Sequence, residues 1–310
     1  GVITTRGFRD VLIVGRGNRT SLYDIKAVRP PPLVERARVL EVDERMTAAG
    51  DVHLALNQEH VATACKRLAE QGVEAIAICF LHSYANPDHE RRAAKIVRQA
   101  LPDIPISISS EILPEYREFE RFSTTALNAY VGPKVSQYLE RLAVGLGANG
   151  ITAPLRIMGS NGGTWSAAAM SAEPVNAMLS GPAGGVTASL GIAKLLDLPN
   201  IITYDMGGTS TDACLVRNYE YNMTTEGHVG MWPNRAPQIE IKTVGAGGGS
   251  IAYLDPGKFL NVGPRSAGAA PGPACYGKGG TEPTVCVRVV RDDHRAFCAH
   301  RRRSGLEKRA

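Results

Sequence analysis

The sequence predicts an α/β protein, and three observations carry that expectation. Between Arg9 and Ser109, strand-like apolar runs alternate with stretches that have a helical apolar period. Glu74–Leu81 (EAIAICFL) is almost unbroken in its apolar character, as a strand covered on both faces requires. Ile201–Val216 (IITYDMGGTSTDACLV) reads as strand, tight turn and returning strand, with an acid at each end of the turn.

The elements follow in order. Arg9–Gly15 (RDVLIVG) reads as a strand and Arg38–Val42 as another, joined through the stiff Pro30-Pro31-Pro32 connector. The Gly15-x-Gly17 pair is not a dinucleotide loop: Thr20 stands where the third glycine belongs, and no helical period follows. Glu59–Gln71 places Val61, Ala64, Cys65 and Leu68 on one helical face. Asn86-Pro87-Asp88 is a helix start, with Asn86 as cap and Pro87 in the first turn. The helix it opens turns Ala93, Ile96, Val97 and Ala100 inward, and Ile104–Ser109 is the next strand. Glu115–Leu142 reads as a long helix interrupted at Pro133, its Glu115–Arg121 charges forming a solvated face. Leu155–Met158 is a short strand, and Leu179–Leu196 a helix with a small-residue surface. Gln238–Val244 is an alternating strand that runs into Gly245–Ser250.

The Ile201–Val216 hairpin holds the most chemistry. Its Gly207-Gly208 pair lets backbone N–H groups approach a bulky anion, and Thr209, Ser210 and Thr211 add donors without charge. Asp205, at a strand end, suits a Mg²⁺ shell, because Mg²⁺ prefers one or two carboxylates completed by water and phosphate oxygens. Asp212 stands at the other end of the turn. The run Gly247, Gly248, Gly249, Ser250 has no lysine after it, so it is not a Walker loop; it either holds a nucleoside close to backbone or makes a sharp corner. The pattern DMGGTSTD resembles the phosphate-binding hairpin of the actin-like ATPase, sugar kinase and heat-shock chaperone superfamily. An ordinary hairpin whose glycines serve only the turn is the plainer alternative.

Composition sets the class. The chain has 310 residues, 44% of them apolar and 21% charged, which is ordinary for a globular protein and enough for one large or two ordinary cores. No apolar run of about 18 residues exists, so no membrane partner is expected, and no secretory signal is visible. The six cysteines form no CxxC pair, and reduced thiols in a cytoplasmic protein are the expectation. The net charge of +5 sits wholly in the tail: Arg288–Ala310 carries eight basic and three acidic residues, and the remainder balances at 27 of each sign. The folded body therefore offers no argument for nucleic-acid binding.

Eight stretches then follow one another in a specific order: FLHSYANPDHE (Phe80–Glu90), ILPEYREFER (Ile112–Arg121), TALNAYV (Thr125–Val131), SNGG (Ser160–Gly163), LSGPAGGV (Leu179–Val186), DMGGTSTD (Asp205–Asp212), VGAGGGSIA (Val244–Ala252) and VGPRSAGAAPGPACYGKGG (Val262–Gly280). Together they resemble the A subunit of the ATP-dependent hydantoinases, a family that includes N-methylhydantoinase A, 5-oxoprolinase and an acetone carboxylase subunit. The resemblance covers roughly Thr4 to Val285. It implies the superfamily fold in incomplete form, with residues 1–120 from the end of the N-terminal domain, 121–287 from the start of the ATPase domain, and 288–310 a basic, unstructured or frame-shifted tail. Two departures stand out. The family opens with another DxGGTxTD hairpin, and here the chain starts with Gly1 inside a strand-like pattern, as an internal fragment would. After Val285 the family pattern gives way to an arginine-rich run, read as a shifted frame, with a genuine basic arm as the alternative.

The resemblance also implies the chemistry: ATP hydrolysis with Mg²⁺, coupled to ring opening of a hydantoin or 5-oxoproline-like cyclic amide, beside a hydantoinase B-type subunit. The amide oxygen is phosphorylated and water opens the activated ring; such transfer calls for positioning and charge neutralisation. Gly207, Gly208, Thr209, Ser210 and Thr211 are the expected phosphate ligands, and Asp205 and Asp212 the Mg²⁺ or water-positioning acids. Gly247, Gly248, Gly249 and Ser250 are expected near the nucleoside. His82 and His89 have no standard ligand spacing, and a structural role is expected for them. An acetone carboxylase-type subunit and a non-enzymatic phosphate-binding module are the alternatives.

Overall fold

A computed structural model describes residues 1–17, 23–28 and 31–286, with the backbone of 288–289 and 296–297. The expectations for Thr20, and nearly all of those for the basic tail, lie outside the described residues. The chain divides into two compact units, Gly1–Ser180 with Met223–Gln238, and Gly181–Asn222 with Ile239–Ala310.

The first unit is built on four parallel strands: β1 (Val2–Thr5), β2 (Val39–Val42), β3 (Ile76–Cys79) and β4 (Ile106–Ile108). Their order across the sheet is β2-β1-β3-β4. All residues of β1 and β3 are buried; in β3 (IAIC) this is why the segment reads as a continuous apolar run, whereas β1 (VITT) buries two threonines. Helix α1 (Gln58–Glu70) buries Val61, Ala64, Cys65 and Leu68, the four residues its period marks. Helix α2 (Asp88–Ala100) buries Ala93 and Val97, whereas Ala100 is exposed and Ala94 takes the inward place. Asn86 caps it one residue early, accepting from the Asp88 N–H at 3.0 Å. Helix α3 (Glu118–Ala148) runs through Pro133.

Two expectations fail here. Arg9–Gly15 is not a strand; Val11–Val14 forms one helical turn, and the strand of this region is β1. A short apolar run has no period that separates a strand from a buried helical turn. The Glu115–Arg121 stretch is not uniformly solvated either, because Arg121 is fully buried. Its guanidinium donates to Phe80 O (2.8 Å), Glu115 O (2.7 Å) and Ser109 Oγ (3.2 Å), and it lies over the Tyr84 and Phe122 rings, each at 5.4 Å. Beside it the buried Glu90 carboxylate accepts from Phe80 N, Ser109 Oγ and Ser110 N. This network ties the chain leaving β3 to α3.

The second unit holds α4 (Ser180–Leu195) and an antiparallel sheet. Strands β5 (Ile201–Met206) and β6 (Thr211–Arg217) make the expected hairpin, and β7 (Lys242–Val244) pairs with β6. The alternating Gln238–Val244 segment is broken, with Gln238–Ile239 and Lys242–Val244 as separate strands. One sheet face packs Cys214, Val216 and Ile239 against Ala183 and Val186 of α4. The other presents Ile202 and Tyr204 to solvent, 71% and 66% exposed. Beyond β7, strands β8 (Ser250–Leu254) and β9 (Leu260–Ser266) form a second hairpin.

Burial raises the pKa of Glu90 above its ordinary 4.5, and the donated hydrogen bonds only partly oppose this. A carboxyl whose folded value is raised contributes stability fully below the unfolded value and loses it as pH rises through the folded one. Urea unfolding of wild type and Glu90→Gln between pH 4 and pH 7 should therefore show the wild type gaining on the variant as pH falls; a gap that widens against the wild type would contradict the assignment.

Candidate functional site

The hairpin turn and the glycine run, some 40 residues apart in sequence, meet in the structure. Gly248 N donates to Gly207 O at 2.9 Å and Gly249 N to Gly208 O at 2.6 Å. The contact is backbone on backbone. A Cβ on Gly247 would stand 2.7 Å from Gly207 O, Ser210 N and Thr209 C, and one on Gly249 2.8 Å from Gly208 O. Only glycine permits this approach.

The seat determines what the turn can offer. Gly207 N closes the turn onto Ser210 O at 2.9 Å, so that donor is spent. The N–H groups of Gly208, Thr209 and Ser210 meet no acceptor among the described residues, and Gly208 and Thr209 are exposed. Successive N–H groups without a protein acceptor are what an anion site draws on. The Thr209 and Ser210 hydroxyls likewise have no protein partner among the described residues.

Other expected ligands are placed differently. Thr211 is buried and its Oγ1 donates to Ala246 O at 2.6 Å, clamping the glycine run. Ser250 is fully buried, with Oγ accepting from Gly247 N at 2.8 Å. Gly247, Gly248 and Gly249 are buried beneath the turn. Their position is that of a support, which the motif alone did not reveal.

Asp205 and Asp212 are directly opposed across β5 and β6. Both lie on the face toward α4, where they line a cavity of about 240 Å³ with Gly185, Ser189 and Thr203. Gly185 leaves room there: a Cβ on it would come within 3.8 Å of Asp205 Oδ2. Asp212 accepts from Thr243 Oγ1 at 2.5 Å, and neither acid has a basic partner among the described residues. Like charges set opposite each other on a sheet repel, so a cation between or beside them is the natural complement. No group of three or more His, Cys, Asp or Glu side chains forms a metal cage among the described residues. Two carboxylates, solvent and ligand oxygens would suit Mg²⁺. His89 is buried and bonded to Glu44 Oε2 at 2.8 Å, a structural role, as expected; His82 lies at the surface of the other unit.

The seat predicts opposite responses at two glycines. Gly247→Ala forces backbone apart and should cost about 1–3 kcal/mol in a urea titration. Gly208→Ala meets nothing within 4 Å and should stay within about 0.5 kcal/mol of wild type. Equal effects at the two positions would contradict the packing described.

The comparisons with known proteins agree in family. The hydantoinase/oxoprolinase family matches residues 121–289, and the hydantoinase/oxoprolinase N-terminal region matches residues 1–101. The chain is 40% identical over 287 residues to the caprolactamase subunit alpha of Pseudomonas jessenii, covering 92% of this chain and 41% of that subunit. It is 33% identical over 311 residues to the 5-oxoprolinase of Saccharomyces cerevisiae, covering 90% and 23%. Among solved structures, the ATP-dependent caprolactamase of Pseudomonas jessenii superposes with a TM-score of 0.77 at 39% identity, and nucleotide-free acetone carboxylase with 0.76 at 30%. Each superposition covers 92% of this chain and 42% of the other, so the chain spans about two fifths of the length of these relatives. With both matches lying over most of its residues, the chain belongs to the hydantoinase/oxoprolinase family.

Proposed function

We propose that this chain supplies a phosphate-binding hairpin to an ATP-dependent enzyme that opens a small cyclic amide. The observation that carries the reading is the turn at Gly208, Thr209 and Ser210, whose three N–H groups meet no acceptor among the described residues, next to Asp205 and Asp212, which have no basic partner among them. The names of its relatives support ATP use and amide chemistry: caprolactamase and 5-oxoprolinase act on lactams, and acetone carboxylation is ATP-dependent. The actin-like ATPase fold is part of this proposal, as are residues 1–120 and 121–287 as the two family domains, a B-type partner subunit and a cytoplasmic location.

In this scheme bound Mg²⁺-ATP would supply the phosphoryl group that turns the weakly electrophilic amide carbonyl into a centre water can attack. The chain's own residues bind and orient. Gly208, Thr209 and Ser210 would hold phosphate oxygens through N–H and hydroxyl donors, whose worth grows where water is excluded. Asp205 and Asp212 would fix the metal, with Thr243 holding the Asp212 rotamer. Thr211, Gly247, Gly248, Gly249 and Ser250 would keep the turn in shape without touching the nucleotide.

Asp205→Ala separates a functional acid from a structural one. It removes a cross-strand repulsion, so stability should hold or rise by about 0.2–1 kcal/mol. Calorimetry should show loss of Mg²⁺-dependent ATP binding by this chain. In a full-length relative, the matching substitution should cut ATP turnover on the order of a hundred- to thousandfold, the usual size of a lost charge-stabilising group. A stable variant that binds and turns over ATP like wild type would overturn the assignment.

A further inference from the structure

The two units cover their sheets unequally. In the first, Ile3, Ile76 and Ile78 pack in a core on one sheet face, and Val2, Ala77 and Cys79 in a core on the other. In the second, α4 covers one face of the β5–β6–β7 sheet. The opposite face leaves Ile202, Tyr204 and Met206 of β5, Leu215 of β6 and Val244 of β7 exposed. The strand registers set these side chains together: Leu215 lies opposite Ile202, and Thr211 pairs with both Met206 and Val244. Single apolar residues are normal on a surface, whereas a contiguous patch marks a site of association.

The strand at the margin of this sheet has the pattern of a covered one. Ile201–Tyr204 has no charged residue on either face, as a strand buried on both sides requires. Only Ile201 and Thr203 lie on the α4 side. β5 pairs with β6 and, among the described residues, with no strand along its other edge. An open apolar edge is a template for a further strand.

Helix α4 repeats the pattern. Ala183, Val186 and Leu190 pack on the sheet, and Ile192 and Leu195, on the far side of the helix, are 59% and 86% exposed. A helix that is apolar all round belongs to a core. The two bare surfaces are on opposite sides of the unit, so a two-fold partner joined through one would leave the other uncovered. The relatives carry more polypeptide outside the match than within it, since the chain spans 41% of the caprolactamase subunit.

We infer that the open sheet face and the free edge of β5 are the docking surface for this further polypeptide of the family. It adds a strand beside β5 and sets apolar side chains over Ile202 and Tyr204. The Asp205–Asp212 carboxylates lie on the α4 side of the sheet, so the contact leaves them untouched and needs no nucleotide.

Hydroxyl-radical footprinting without nucleotide tests this on the chain alone and on a chimera in which the chain replaces its match within caprolactamase subunit alpha. In the chain alone, Tyr204 and Met206 should react as exposed side chains at every protein concentration. In the chimera their rates should fall at least fivefold. Ile202→Lys and Tyr204→Lys should shift the Tm of the chain alone by no more than about 2 °C, as surface substitutions do, and lower that of the chimera by a greater margin. Amide exchange on the unaltered caprolactamase subunit keeps the test open if the chimera does not fold. The strand matching β5 should exchange slowly at every amide there, whereas alternate β5 amides of the chain alone should exchange fast. Protection of Tyr204 and Met206 in the chain alone, by its other unit or by a second copy, would overturn the inference. So would equal reactivity in chain and chimera, or protection that appears only when another subunit is added.

Discussion

The second unit depends on a contact made without side chains, between the Gly247–Gly249 run and the turn of the β5–β6 hairpin. Two backbone hydrogen bonds hold it, and the absence of Cβ atoms at Gly247 and Gly249 allows the approach. A two-residue glycine turn alone would sample many conformations, at an entropic cost to any ligand that orders it. The seat settles that cost at folding, because Gly207 O and Gly208 O are already engaged. The Gly208, Thr209 and Ser210 N–H groups remain without an acceptor among the described residues. Thr211 belongs to the same device: its hydroxyl holds Ala246 and starts the glycine run at a fixed distance from β6.

A like-charge constraint adds to this geometry. Asp205 and Asp212 are cross-strand neighbours on a sheet face otherwise occupied by Thr203, Cys214 and Val216. Such a pair is unfavourable within the sheet, and no nearby lysine or arginine among the described residues relieves it. The small α4 surface at Gly185 leaves space at the carboxylates instead of burying them. Repulsion, space and turn N–H groups with no acceptor among the described residues thus coincide at one end of one hairpin, which supports the proposed site for a cation and an anion together.

Sequence reasoning found what is local. The hairpin, the β2 and β3 strands and the α1 face were legible, because period and turn chemistry are properties of neighbouring residues. What it missed is non-local. That Gly247 supports the Gly207–Ser210 turn depends on folding across about 40 residues, and a glycine run looks the same whether it faces a ligand or a backbone. Ser250 and Thr211 have the hydroxyls of phosphate ligands but spend them on the chain itself. Arg121 lies in a stretch of alternating charges that reads as solvated, and only the carbonyls of Phe80 and Glu115 make it a core residue. Val11–Val14 shows the limit of periodicity, since four apolar residues fit a strand or a helical turn equally well.

The proposed division of labour gives the turn amides of Gly208, Thr209 and Ser210 to the ligand and leaves the glycine run beneath as a support. Amide chemical-shift mapping tests this most directly, with Mg²⁺ and a non-hydrolysable ATP analogue added to the isotope-labelled chain. The account predicts the largest changes at the Gly208, Thr209 and Ser210 amides, with smaller ones at Gly248 and Gly249, whose N–H groups stay bonded to the turn. Shifts concentrated at Gly247–Ser250 with the turn amides unmoved would contradict it.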